Sequence, residues 1–351
     1  MTKFRKKGLL VMVAMLLMIA FSLTACDNSE VLYVYNWGEY INMDAIKQFT
    51  KETGIKVKYS TYETNEDMYI KVAKGNSRYD VVIPSDYMID KMIKEDLLLP
   101  INYANVPNAQ YIDTQFMDLE HDPGSLYSVP YMWGTLGIVY NTTMVTEPVD
   151  SWNILWDAKY TDDILMLDSI RDVFSIAQQL LGYSVNSTDP AELAAVKDKL
   201  LAQKPLVKAW LVDKIISDME ADEAALGVTW SCDFLQMEQR NPNLKYVIPK
   251  EGSNLWVDSM VILKNTKLQA EAEMFINFMC REDIALLNSE ELGNPTLQLQ
   301  AKENQEDSIL NNPAAYPSAE ELERCHVFLY LGEDALKAYD RIWTELGTTQ
   351  K

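Results

Sequence analysis

Residues Val31 to Tyr40 read VLYVYNWGEY, a strand that runs directly into a polar, aromatic turn. Val31, Leu32 and Val34, with the bodies of Tyr33 and Tyr35, offer apolar surface on both faces, as a buried parallel strand requires. Asn36, Trp37, Gly38, Glu39 and Tyr40 then end the run before a helical pattern takes over near Met43. In open α/β sheets, ligands sit just past the carboxyl ends of strands, where the loops converge. The turn is therefore expected to form one wall of a pocket.

The rest of the chain repeats this device. Tyr79 to Ile83 form a short buried strand that stops at Pro84, followed by Ser85, Asp86 and Tyr87; Ile164 to Leu167 end in Asp168-Ser169-Ile170-Arg171-Asp172; and Leu226 to Thr229 end in Trp230-Ser231-Cys232-Asp233. Two further runs, Leu136 to Tyr140 and Ser259 to Leu263, are expected to cross between lobes, the second preceded by Trp256 and Asp258. Helical spacing between the strands predicts helices from Met43 to a stop at Gly54, over Asp67 to Lys74, Met88 to Leu97, Pro190 to Ala202 behind an Asp189 cap, Leu206 to Met219, Leu268 to Cys280 and Glu333 to Leu346. Trp152 and Trp156 share a helical face and are read as core. Strands alternating with helices give an α/β chain, and about 325 residues beyond the amino-terminal segment exceed what one core usually serves.

That segment carries Lys3, Arg5, Lys6 and Lys7, an apolar run from Leu9 to Leu23, and then Leu23-Thr24-Ala25-Cys26. A basic head, an apolar run and a small-residue stop describe an export signal over residues 1–25. The Leu-x-Ala-Cys ending resembles the lipobox of bacterial lipoproteins, in which Cys26 becomes the lipidated first residue and anchors the protein on the extracytoplasmic face of the membrane. Without residues 1–25 the chain holds 27 Lys+Arg against 52 Asp+Glu, a net of 25 negative charges. Nucleic acid is a poor partner for such a surface and a cation a good one. Cys232, Cys280 and Cys325 show no C-x-x-C spacing, which leaves open one disulfide with a spare thiol or three free thiols.

The strand ends and crossings collect carboxylates and aromatic rings and almost no basic groups, Arg171 excepted. Such a set suits an elongated cation with apolar methylenes: indole and phenol faces attract ammonium groups by ~0.5–2 kcal/mol each and cover CH₂ groups, while carboxylates supply charge-assisted hydrogen bonds. No G-x-S-x-G elbow, Walker A loop or G-x-G-x-x-G occurs, and His121 and His326 are isolated, so neither a catalytic residue, a metal site nor a cofactor is expected. The rival enzymatic reading is a glycoside hydrolase working through a carboxylate pair.

The words YVYNWGEYI, YDVVIPSDYMIDKM, YSVPYMWGTLGIVYN, SWNILWDAKY, LMLDSIRDVF, LGYSVNSTDP and VIPKEGSNLWVDSM are spread over most of the chain. They resemble the polyamine-binding lipoproteins that feed ABC transporters for spermidine and putrescine. The resemblance implies a two-lobed periplasmic-binding-protein fold of type II that closes over its ligand, lobes of residues 31–138 plus 258–310 and 139–257 plus 311–351, a monomer, and permease subunits as partners. It further implies a cleft lined by Trp37, Tyr40, Ser85, Tyr87, Asp172, Trp230, Trp256 and Asp258, with Asp258 and Asp172 gripping amines and the tryptophans along the methylenes. Glu39, Asp168 and Asp233 match acidic positions of some members. Gly38 replaces a Thr or Ser, Asn294 stands where many spermidine binders have tyrosine, and a glutamine near Phe328 has no counterpart. These departures leave spermidine, putrescine or another small cation open as ligand.

Overall fold

The computed structural model describes residues 31–75 and 77–348, so the expected export segment and Cys26 lie outside the described residues. Its strands, in chain order, are β1 (Val31–Trp37), β2 (Lys56–Tyr62), β3 (Val81–Val82), β4 (Leu98–Leu99), β5 (Ser128–Asn141), β6 (Ile164–Leu167), β7 (Val207–Leu211), β8 (Leu226–Trp230), β9 (Leu244–Val247), β10 (Ser253–Leu263) and β11 (Cys325–His326). They form one continuous ladder in the order β2-β1-β3-β10-β5-β8-β6-β7, with β4 and β11 on β10 and β9 on β5.

The two ends of this ladder have the same construction. β1 runs parallel to β2 and β3, and β6 runs parallel to β7 and β8. Each parallel group meets an antiparallel strand at the middle, β10 against β3 and β5 against β8. Strands β5 and β10 also pair with each other, from Val261↔Ser128 to Leu255↔Thr135, with a register shift between Asp258 and Ser259. Beyond Thr135, β5 changes partners: Leu136 to Tyr140 pair with β8, and Ile138 to Asn141 with β9.

Two principal cores lie on either side of this crossing. One gathers Leu32, Val34, Phe49, Val129, Met260 and Phe275, and the other Leu136, Ile138, Trp152, Phe174, Leu226 and Tyr339. The molecule is therefore a two-lobed α/β protein whose lobes share β5 and β10. β1 carries its buried side chains as a parallel strand flanked on both edges should, the expected behaviour of VLYVYNW.

Local signals set the helix ends. The helix Met43–Thr53 is capped by Asn42, whose side chain accepts from the Asp44 N–H, and stops at Gly54 with φ 77°, a conformation that costs glycine nothing. The helix Pro190–Gln203 starts at Asp189, which accepts from the Ala191 and Glu192 N–H groups. One expected element is wrong: the chain over Leu206 to Met219 is not one helix but β7 followed by a helix over Lys214–Glu220. Pairing of Ala209, Trp210 and Leu211 with β6 overrides a weak helical spacing. Trp152 is fully buried and donates to the Gly252 carbonyl at 2.8 Å, and Trp156 donates to the Lys199 carbonyl at 2.8 Å, both in the second core as expected. Cys232, Cys280 and Cys325 are free thiols.

Candidate binding site

The site begins where β3 ends. Ser85 takes the N-cap place of the helix Asp86–Lys94, and its side chain makes no cap bond to that helix. Instead, Asn65 holds the corner: its amide nitrogen donates to Ser85 Oγ and to Tyr87 Oη, both at 3.1 Å, while its Oδ1 accepts the Ser85 N–H at 3.3 Å. Tyr87 donates in turn to Glu66 at 3.0 Å. Asn65 is buried and had no signal in the sequence beyond its place behind a threonine cap.

From this corner the chain reaches Asp258. Ser85 and Asp258 form an antiparallel bridge, and the Ser259 N–H donates to the Pro84 carbonyl at 3.1 Å. The Asp258 carboxyl is only 7% exposed as a residue, and it accepts the Tyr40 hydroxyl at 2.8 Å and a hydrogen bond from Ser85. Burial outweighs both bonds and pushes its pKa up to about 6. Tyr40 is itself fixed by Tyr131, whose hydroxyl donates to the Tyr40 carbonyl at 2.7 Å with the rings edge-on at 5.8 Å.

The second lobe supplies the helix Ile170–Leu180, which starts directly behind β6. Asp172 in its first turn accepts the Ser169 hydroxyl at 2.6 Å and the Asn254 amide at 3.4 Å, the latter from β10. Burial raises its pKa, opposed by those bonds, by Arg171 and by the Trp230 indole. Asp172 is thus not the helix cap; Ser169 occupies that place and turns its hydroxyl to the carboxylate. Asp233, also in a first turn, accepts from Thr229 Oγ1 at 2.7 Å, and burial again raises its pKa. Arg171 donates to the Leu329 carbonyl and to Asn186 Oδ1, both at 3.0 Å, and stacks 4.4 Å over the Phe328 ring. Burial lowers its pKa, opposed first by Tyr339 and then by Asp86, Tyr87 and Asp172.

A Cβ placed on Gly134 would lie 2.4 Å from the Trp256 ring and 2.7 Å from Ser231 Oγ, so the indole is seated against bare backbone. The buried indole nitrogens of Trp256 and Trp37 have no hydrogen-bond partner. Trp37 packs on Tyr62 with centroids 4.7 Å apart. Trp230 is half-buried at the end of β8.

Of the expected residues, Trp37, Tyr40, Ser85, Tyr87, Asp172, Trp230, Asp233, Trp256 and Asp258 are buried or half-buried. Glu39 and Asp168 are exposed. Glu39 sits in the left-handed region at φ 46°, and Asp168 ties its backbone N–H to the Leu211 carbonyl at 2.8 Å. Among the described residues no group of three His, Cys, Asp or Glu side chains is arranged to hold a metal ion.

A two-lobed α/β architecture whose lobes share two paired central strands is that of a solute-binding protein. Residues 44–317 match the bacterial extracellular solute-binding proteins, and the chain belongs to that family. It is 38% identical over 309 residues to the spermidine/putrescine-binding periplasmic protein of Escherichia coli K12, covering 88% of this chain and 89% of that one. The crystal structure of the spermidine/putrescine ABC transporter substrate-binding protein PotD from Streptococcus pneumoniae superposes with a TM-score of 0.83 at 42% identity, covering 91% of this chain and 99% of that one. The TpPotD lipoprotein of Treponema pallidum superposes with a TM-score of 0.80 at 28% identity, covering 90% and 99%.

Proposed function

We propose that this protein is the substrate-binding component of a polyamine ABC importer, which captures spermidine or putrescine outside the cytoplasmic membrane, delivers it to a permease and does no chemistry on it. The observation that carries the reading is Asp258, a buried carboxyl group that receives two hydroxyl donors and, among the described residues, no cation. A buried carboxylate needs an opposite charge, and an ammonium group supplies both the charge and the hydrogen bonds. Asp172 and Asp233 hold further carboxylates in the second lobe, and Trp230 and Trp256 supply apolar faces for the methylenes between amines. The names of the relatives in Escherichia coli and Streptococcus pneumoniae support the same ligand class and the same transporter type.

The protein acts as a monomer with lobes of residues 31–138 plus 258–310 and 139–257 plus 311–351, tethered by lipid on Cys26. The Leu-x-Ala-Cys sequence supports the tether, as does the lipoprotein nature of the Treponema pallidum relative. Loss of membrane association in Cys26→Ala is its test.

Calorimetric titration of the chain from Asp27 onward with putrescine and then spermidine, at two salt concentrations, tests the ligand. One-to-one binding is expected, weakened by at least ~2 kcal/mol in Asp258→Asn and in Asp172→Asn. Absence of binding by either amine, or unchanged affinity in both variants, would overturn the assignment.

A further inference from the structure

Asp86 stands between Ser85 and Tyr87, two residues that the family resemblance places in the cleft, and it was not among those the resemblance singles out. It is nevertheless the most deeply buried acidic residue of the site, 1% exposed against 5% for Asp172 and 7% for Asp258. Its Oδ1 accepts the Tyr87 N–H at 2.6 Å, and its neighbour Ser85 bridges to Asp258. That places the group beside β10 at Asp258, with which it interacts unfavourably. Its Oδ2 is shut off from solvent and has no hydrogen-bond partner. Arg171 faces it from the other lobe, but both Nη atoms are engaged with Leu329 and Asn186, and the buried Nε is unpartnered.

A buried acceptor without a donor destabilises the fold unless something else completes it. The Asp86–Lys94 helix start accounts for Oδ1 and leaves Oδ2 unexplained. We propose that Asp86 is a ligand carboxylate whose free Oδ2, together with Asp258, receives one terminal ammonium group of the bound polyamine. The proposal rests on the polyamine reading above and deepens it. With Asp86 included, the cleft sets the carboxylates of Asp86, Asp172, Asp233 and Asp258 against the guanidinium of Arg171. The remaining charge matches the triamine spermidine better than the diamine putrescine, so Asp86 is also a specificity residue.

The test compares the full chain, solubilised in detergent, with Asp86→Asn and Asp86→Ser, measuring affinity for both amines and the melting temperature without ligand. Wild type should bind spermidine more tightly than putrescine. Both variants should lose spermidine affinity at least tenfold and lose less for putrescine, while the empty protein melts at the same or a higher temperature, because an unpaired acid has been removed. A smaller loss would overturn the proposal. So would a loss accompanied by a lower melting temperature, or failure of both variants to fold, since either assigns Asp86 to the helix start. Wild type that binds neither amine would remove the polyamine reading and this proposal with it; wild type that binds while the variants bind equally well would remove Asp86 alone.

Discussion

Tyr40 and Asp258, 218 residues apart in the chain, are joined by a hydrogen bond of 2.8 Å from the phenol to the carboxyl Oδ2. The bond stabilises the ionised carboxylate, which burial alone would keep protonated to higher pH. A cation binds the ionised form, so polyamine affinity should fall as the pH drops through about 6. Tyr40→Phe removes a hydrogen bond to a charged group, which is worth ~1.5–3 kcal/mol. The midpoint of the fall should therefore move up by roughly one pH unit or more. Calorimetry across pH 5 to 8.5 would show it, and an unmoved midpoint would refute the role of the bond.

The same carboxyl makes stability depend on pH in a defined direction. Its folded pKa of about 6 lies above the ordinary 3.8, so between these values the folded state holds a proton that the unfolded chain has released. The empty protein should lose stability from this group as pH rises through that window, by on the order of 3 kcal/mol in total. Asp258→Asn removes this loss. Chemical denaturation should find the variant more stable than wild type at pH 8 and matched to it near pH 4, with the reverse order excluding the burial argument.

Gly134→Ala would place a methyl carbon 2.4 Å from the Trp256 ring. The indole has to leave its seat, because the new methyl meets two of its ring atoms and Ser231 Oγ at 2.7 Å as well. Overpacking of this kind costs ~1–3 kcal/mol, and here the displaced ring belongs to the proposed ligand site. Polyamine affinity is expected to fall at least tenfold together with a change in tryptophan fluorescence. Wild-type affinity with an unchanged spectrum would show that the ring has room.

Asn65→Ala deletes the amide that holds Ser85 and Tyr87 at once. Removing it strands polar partners at a buried corner, a loss of ~1–3 kcal/mol. Thermal melting should register the destabilisation, and polyamine binding should weaken because Ser85 no longer holds its place against Asp258. A variant equal to wild type in both would make the Asn65 contacts incidental.

Much of this was legible from local chemistry. VLYVYNW declared a buried parallel strand by being apolar on both faces, and Gly54 and Asp189 marked helix ends because caps act within a few residues. The strand-end residues were recognisable as a set because loops at one edge of an α/β sheet converge. What could not be read depends on partners far along the chain. β7 has the spacing of a helix in the sequence, and its strand character comes from pairing with β6. Asp86 was seen at a strand end, but its unpartnered Oδ2 is a property of the assembled lobes, and Asn65 gave no sign of the corner it ties together. Conversely, Glu39 and Asp168 had the right chemistry at the right strand ends, and their side chains are exposed.

The register shift in the β5–β10 ladder falls between Asp258 and Ser259, at the residue proposed to hold the ligand's amine. An irregular step is where a strand bends and twists most readily, and both lobes hang on these two strands. A swing of one lobe against the other that bends the strands at that step would alter the setting of the Asp258 carboxylate against Tyr40 and Ser85. A transporter that pries the lobes apart would thus act through leverage on the ligand's strongest attachment, so that unlatching the protein and loosening its cargo become one motion.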